Sequence, residues 1–203
     1  MLNVKPSLDA IVLAAGRGSR FGGDKLLAPW RGGVLIDGAL AAAFAAPVDT
    51  VHLVVGADEA AVARAARAWA SRSGVGARLN VTLSPQWADG LSASLKAGSA
   101  ALSKDRLGVF VFLGDMPCIP AGVLGPLADA LVRGASAAAP TFEGEMGHPV
   151  LIGSSLFPRL NALKGDRGAR SLLERLGPSL ALIPYSDSGV LFDVDTRDAL
   201  DRA

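Results

Sequence analysis

Residues 13–27 read LAAGRGSRFGGDKLL, four glycines and three cations (Arg17, Arg20 and Lys25) directly behind the apolar run DAIVLA. Glycine lets backbone N–H groups approach a ligand with no Cβ in the way. Successive amides exposed like this form a concavity that binds anions. Together with three cations in one loop, they suit a diphosphate or triphosphate. Two common phosphate loops are excluded. The dinucleotide fingerprint G-x-G-x-x-G begins at Gly16 and Gly18 but meets Phe21. The Walker loop G-x-x-x-x-G-K-[ST] fails because Gly23 is followed by Asp24, Lys25 and Leu26.

A triphosphate calls for a counter-charge. Asp115 ends GVFVFLGD, just beyond an apolar run, with Pro117 stopping the chain. Magnesium prefers oxygen ligands and takes one or two carboxylates plus substrate phosphates, so Asp115 is the leading metal ligand. Asp193 and Asp195 in DVD are two apart and would share one face of a strand. Asp195 could instead cap the helix expected from Thr196. Asp24 reads as structural, holding the loop by bonding nearby N–H groups. In QWADGLSASLKAG, Gly90 permits close approach of a nucleotide, and Ser92 and Ser94 either donate to base or phosphate or cap the helix. Trp30 and Trp87 read as packing, and Cys118 as a small hydrophobe.

The elements that would position these residues follow from pattern. DAIVLA, VHLVV, ARLNVTL and GVFVFL are short, nearly continuous apolar runs of the kind found in buried strands. Between them, residues 34–46, 58–71 and 89–103 are long enough for helices, with Asp58 and Asp89 as N-caps or first-turn acids. This alternation predicts a mostly parallel sheet with helices on both faces. Further on, 122–133 and 155–163 read as helices, 135–139 as a strand, and TFEGEMGHPVLI as a loop and return strand. KGDRGARSLLERLG reads as a loop and short helix, LALIPY and VLFDVD as strands, with a final helix from Thr196. Ligands of open α/β sheets lie beyond the carboxyl ends of the strands, so the loops after Ala14, Val55, Leu83 and Leu113 should share one rim.

The chain has 203 residues, half of them hydrophobic and 19% charged, enough for one sizeable core, and a single domain over 1–203 is expected. A net charge of +1 gives no support to nucleic acid or a membrane as partner. A single cysteine allows no intrachain disulfide and no multi-cysteine zinc site. The N-terminal apolar run falls far short of the roughly 20 residues that span a bilayer and opens into the glycine loop, so a cytoplasmic protein is expected.

LAAGRGSRFGGDKLL resembles the loop of the MobA/MocA-like nucleotidyltransferases, which read LAAG or LAGG, a basic stretch and G-x-D-K. The resemblance continues through QWADGLSASLKAG, FLGDMP, GHPVLI, KGDRGAR and DVDT, nearly the whole chain. It implies a Rossmann-like three-layer α/β/α sandwich of the nucleotide-diphosphosugar transferase type, and transfer of a nucleotidyl group from a nucleoside triphosphate. Ala15, RFGGDKLL and GD-x-GAR are most like the branch that joins CTP to molybdopterin (the molybdenum cofactor); the guanylyl branch usually carries glycine at position 15. On this likeness Leu13, Ala14, Ala15, Gly16, Arg17, Gly18, Lys25, Gly90 and Ser92 bind nucleotide. Lys25, Asp115 and Arg20 serve catalysis, and Asp115 and Asp195 hold Mg2+. His148, Asp166 and Arg170 face the acceptor, although Arg167 and Arg170 would equally suit a solvated helix start. A molybdoenzyme or its chaperone would be a further partner.

An acceptor phosphate monoester has a second pKa of about 6 and is already mostly a dianion at neutral pH. No general base is then needed, in keeping with a chain that has two histidines and no Ser/His/Asp set. Other readings are GTP or a sugar-phosphate acceptor, a nucleotide-binding regulator without turnover, and a small-molecule oxidoreductase. The last would want an acidic residue about 20 positions after its glycine loop, and the region around Asp37 reads as helix.

Overall fold

The central strand is the most apolar stretch before the glycine loop. In the computed structural model, which describes residues 7–18, 20–165 and 168–203, β1 (Leu8–Ala14) is buried along its whole length. Its two faces feed two cores, as the period of two along a strand requires. Leu8, Ala10, Val12 and Ala14 join one cluster, Ile11 and Leu13 the other.

After the loop come a two-residue hairpin, β2 (Pro29–Trp30) and β3 (Gly33–Val34), then α1 (Ile36–Ala45), β4 (Thr50–Val55), α2 (Glu59–Arg72), β5 (Leu79–Leu83), α3 (Leu91–Ala100) and β6 (Gly108–Leu113). The second half adds α4 (Leu124–Val132), β7 (Ala137–Phe142), β8 (Glu145–Met146), β9 (Val150–Gly153), α5 (Phe157–Leu160), α6 (Arg170–Glu174), β10 (Leu180–Pro184) and α7 (Arg197–Arg202).

The main sheet runs β10-β7-β9-β6-β1-β4-β5, with β8 paired to β7. β1 lies parallel to β4 and β6, β4 to β5, and β7 to β10. β9 runs antiparallel to β6 and β7. Residues of α1, α2 and α4 pack on one face and those of α3, α5 and α6 on the other. This is a Rossmann-like α/β fold with a mostly parallel sheet. The ends of β1, β4, β5 and β6 share one rim, as parallel pairing demands.

Several local expectations need correction. β5 is an edge strand, half-exposed along its length, because β4 pairs with it on one side and no strand among the described residues pairs with the other. VLFDVD is no strand: residues 188–190 form a 3-10 turn, and the chain beyond bonds back through Val194 N–H to the Asp115 carbonyl at 2.9 Å. Asp58 and Asp89 make no side-chain caps, and Gly90, at φ 101°, opens α3 instead. The last helix is capped by Thr196, whose Oγ1 accepts from Ala199 N–H at 3.2 Å, which leaves Asp195 free for other partners. Asp24 makes no side-chain cap; it enters the 3-10 turn at 25–27 with φ 47°. Among the described residues no helix is long and apolar enough to cross a membrane.

Candidate active site

The glycine loop and the acidic tail are fastened to each other by a small third cluster. Phe21, Ala28, Leu35 and Val194 are buried together, with Phe192 and Leu200 against them. Phe21, where a dinucleotide loop would have its third glycine, is thus an anchor. The cluster draws residues 192–195 across the mouth of the loop, and the bond from Val194 to Asp115 ties the same segment to the end of β6.

Charged groups converge there. Lys25 Nζ donates to Asp115 Oδ2 at 2.6 Å and to Asp195 Oδ1 at 3.1 Å. Arg20 reaches Asp195 Oδ2 at 3.2 Å, but its side chain is 83% exposed, so that pair contributes little. The Lys25 side chain is only 11% exposed, and its stem crosses the loop at Gly18. Gly18 has φ 62°, and a Cβ there would stand 2.9 Å from Lys25 Cβ, so both its conformation and its missing side chain are needed. At the end of β6 the missing side chain of Gly114 is what matters: a Cβ would meet Ile36 Cδ1 at 2.9 Å and the Leu13 carbonyl at 3.0 Å.

Burial alone would lower the Lys25 pKa, but the Asp115 charge and the hydrogen bonds to Asp115 and Asp195 outweigh it and raise the pKa. Burial likewise works to raise the Asp195 pKa, and the bonds from Lys25 and Arg20 prevail and lower it. Among the described residues Asp193 makes no such pairing; burial, with Asp195 and Asp115 nearby, raises its pKa. The two carboxylates that meet Lys25 are therefore Asp115 and Asp195.

These groups line a cleft of about 470 Å³, walled by Leu13, Ala14, Gly16, Gly18, Leu91 and Leu113. A Cβ on Gly16 would meet nothing within 4 Å, so the cleft is open at that backbone. The carbonyls of Leu13 and Ala15 are already committed, accepting from Gly114 N–H at 2.9 Å and Ala57 N–H at 3.1 Å. Arg17 lies over the Trp87 ring, its guanidinium carbon 5.2 Å from the centroid, a contact the sequence reading missed. Gly90 does not line the cleft; Leu91 does. Ser92 is buried at 1% exposure, its Oγ without a partner among the described residues, and it reaches neither the cleft nor a cap.

His148 and Arg170 lie elsewhere. Both line a smaller, mostly apolar cavity of about 60 Å³ that shares Leu13, Leu91 and Leu113 with the cleft. Burial lowers the His148 pKa, and Nδ1 has no hydrogen-bond partner among the described residues. Arg170 is paired along its helix with Glu174 at 3.2 Å. Asp166 and Arg167 fall outside the described residues.

Whether the cleft suits a divalent metal can be judged from its donors. Asp115 and Asp195 present carboxylate oxygens to one point that already holds a cation, the Lys25 ammonium. Among the described residues no group of three or more His, Cys, Asp or Glu is arranged to hold a metal ion. Two carboxylates with the remaining positions left to phosphate oxygens and water is the usual pattern for Mg2+ or Mn2+, whereas zinc sites are built mainly from Cys and His. The residues fit such an ion.

A sequence profile of the MobA-like NTP transferase domain matches residues 10–180. The chain is 30% identical to nicotine blue oxidoreductase of Paenarthrobacter nicotinovorans, over 97% of this chain and 96% of that one. It is 31% identical to the purine catabolism protein PucB of Bacillus subtilis, over 97% and 95%. Molybdenum cofactor cytidylyltransferase of Escherichia coli is 25% identical over 95% and 93%. Among solved structures, the Rv0371c homolog from mycobacterium sp. strain JC1 superposes with a TM-score of 0.78 at 28% identity, over 96% of this chain and 93% of that one. Rv0371c of Mycobacterium tuberculosis in complex with manganese superposes with a TM-score of 0.74 at 25% identity, over 98% of each chain.

Proposed function

The chain belongs to the MobA-like NTP transferase family, and from that premise we propose that it transfers CMP from CTP to the terminal phosphate of molybdopterin, releasing pyrophosphate. The observation that carries the reading is the 2.6 Å contact between Lys25 and Asp115 at the mouth of the glycine loop. It joins the cation and the carboxylate that the chemistry needs in one cleft. The resemblance to molybdenum cofactor cytidylyltransferase supplies the choice of CTP and acceptor, and the manganese complex of a neighbour favours a divalent ion.

The acceptor phosphate is a dianion at neutral pH. One of its oxygens attacks the α-phosphorus in line, a new P–O bond forms, and the α–β bridging bond breaks with its electron pair leaving on pyrophosphate. Repulsion between two anions is the main obstacle. The loop amides near Gly16 and Gly18 and the ammonium of Lys25 bind and orient the triphosphate and take up charge on the departing pyrophosphate. Arg17 and Arg20 lie at the rim, where they draw in the polyanion. Asp115 and Asp195 would hold the divalent ion, which supplies Lewis-acid polarisation of the phosphates when bound. Burial lowers the His148 pKa and so favours its neutral form, and the reaction asks for no base.

The test is pyrophosphate release from CTP, GTP, ATP and UTP with Mg2+, each with and without molybdopterin. Acceptor-dependent release greatest with CTP supports the reading; release greatest with GTP moves the chain to the guanylyl branch; none with any nucleotide overturns it. A second reading is favoured by the 30% identity to nicotine blue oxidoreductase. Phe21, buried where a dinucleotide loop needs glycine, weighs against a nicotinamide dinucleotide in this cleft. Oxidation of NADH or NADPH by a quinone-like dye would favour it.

A further inference from the structure

We infer that the Lys25 ammonium holds the divalent-metal position until a nucleoside triphosphate draws it away, so that the metal loads with the nucleotide and not before it. This rests on the assignment of Asp115 and Asp195 as metal ligands.

The geometry is specific. Nζ stands 2.6 Å from Asp115 Oδ2 and 3.1 Å from Asp195 Oδ1. A divalent ion on Asp115 Oδ2 would sit about 2.1 Å from that oxygen. Even on its far side, the ion would be within about 5 Å of Nζ, the sum of the two bond lengths. Positive charges that close repel strongly where solvent is partly excluded. Lys25 has little freedom to retreat while the cleft holds no phosphate. Its side chain is 11% exposed, its stem lies against Gly18, and the short helical turn 25–27 fixes its backbone.

A triphosphate changes this balance, because its oxygens lie on the loop side and offer the ammonium new partners. Lys25 then passes from carboxylate to phosphate, and both carboxylates become available to the ion that arrives on the same phosphates. Meanwhile the ammonium serves the free protein as counterion to two carboxylates that would otherwise face each other. The arrangement makes loading ordered: the metal–nucleotide complex binds well, and free metal binds poorly.

The test is Mn2+ binding followed by loss of the free-ion electron paramagnetic resonance signal, without nucleotide. Lys25→Met, which keeps bulk and removes charge, should bind free Mn2+ at least tenfold more tightly than wild type. Lys25→Gln should move the same way and serves if the methionine variant fails to fold. Asp115→Asn made in the Lys25→Met chain should abolish the gain. Mn2+ affinity in the Lys25 variants equal to or weaker than wild type overturns the inference. If Asp115→Asn leaves Mn2+ binding unaltered both without and with CTP, the metal assignment itself fails, which is a separate result.

Discussion

Lys25 Nζ lies 2.6 Å from Asp115 Oδ2, although the two residues are 90 positions apart. One sits in the loop after the central strand, the other just beyond β6, the strand beside it. Parallel pairing of β1 with β6, with Leu13 opposite Leu113, places those two loops side by side. Removal of either charge should therefore damage the same step. Lys25→Ala and Asp115→Ala are each expected to lower kcat for pyrophosphate release about 10²-fold or more, the scale for losing one strong electrostatic contact. Steady-state assay of the two variants checks this, and near-wild-type turnover in either would contradict it.

Gly18→Ala tests how the lysine is aimed. At φ 62° and with Lys25 Cβ 2.9 Å from the added methyl, alanine is strained and must push the stem aside. The expected cost is about 1–2 kcal/mol of stability and at least about tenfold in kcat, through misplacement of the ammonium. Gly16→Ala meets nothing within 4 Å, so its stability should match wild type. Thermal melts and turnover of the two variants separate the cases.

His148 predicts a pH dependence of stability. Burial lowers its folded pKa below the ordinary value of about 6.5. Below that value the unfolded chain takes up a proton that the folded chain resists, so stability falls as pH drops from about 6.5 towards the folded pKa. The slope is at most about 1.4 kcal/mol per pH unit. His148→Gln should flatten this part of the curve, read as urea midpoints between pH 7.5 and 5. An unchanged acid slope would show that other groups set it.

At the far end of the sheet, Asp9 is buried at 1% exposure between Arg106, at 3.0 Å, and His52, at 3.3 Å. Arg106→Ala leaves a buried carboxylate without its main counter-charge and should destabilise the protein by about 3 kcal/mol. The network sits five residues down β1 from Ala14, roughly 17 Å from the rim, so kcat should hold. Urea unfolding and turnover measure the two effects.

Much of this was legible from the chain because it is local. β1, β4 and β6 are continuous apolar runs, and apolar continuity marks a strand covered on both faces. The glycines and cations of 16–25 stand out directly after the first strand, and Asp115 as a carboxylate directly after a buried strand; the structure brings Lys25 and Asp115 together. What was not legible depends on contacts between distant segments. The stretch 190–195 has strand-like composition, but its backbone bonds are scattered, Val190 C=O accepting from His148 and Val194 N–H donating to the Asp115 carbonyl, while Val194 packs with Phe21, so it forms a strap. β5 looks like an inner strand until the sheet order makes it an edge. Ser92 has the right type for a phosphate donor, but packing buries its Oγ. The Arg17–Trp87 stack joins two loops 70 residues apart, and neither loop alone signals it.

Anomalous scattering from a crystal grown with CTP and Mn2+ would locate the ion, the phosphates and Lys25 in one experiment. A manganese peak is expected about 2.1 Å from an Asp115 carboxylate oxygen, shared with triphosphate oxygens, with Lys25 Nζ moved onto those phosphates. A triphosphate bound away from residues 16–25, or a manganese ion on the phosphates with Lys25 still paired to Asp115, would contradict it.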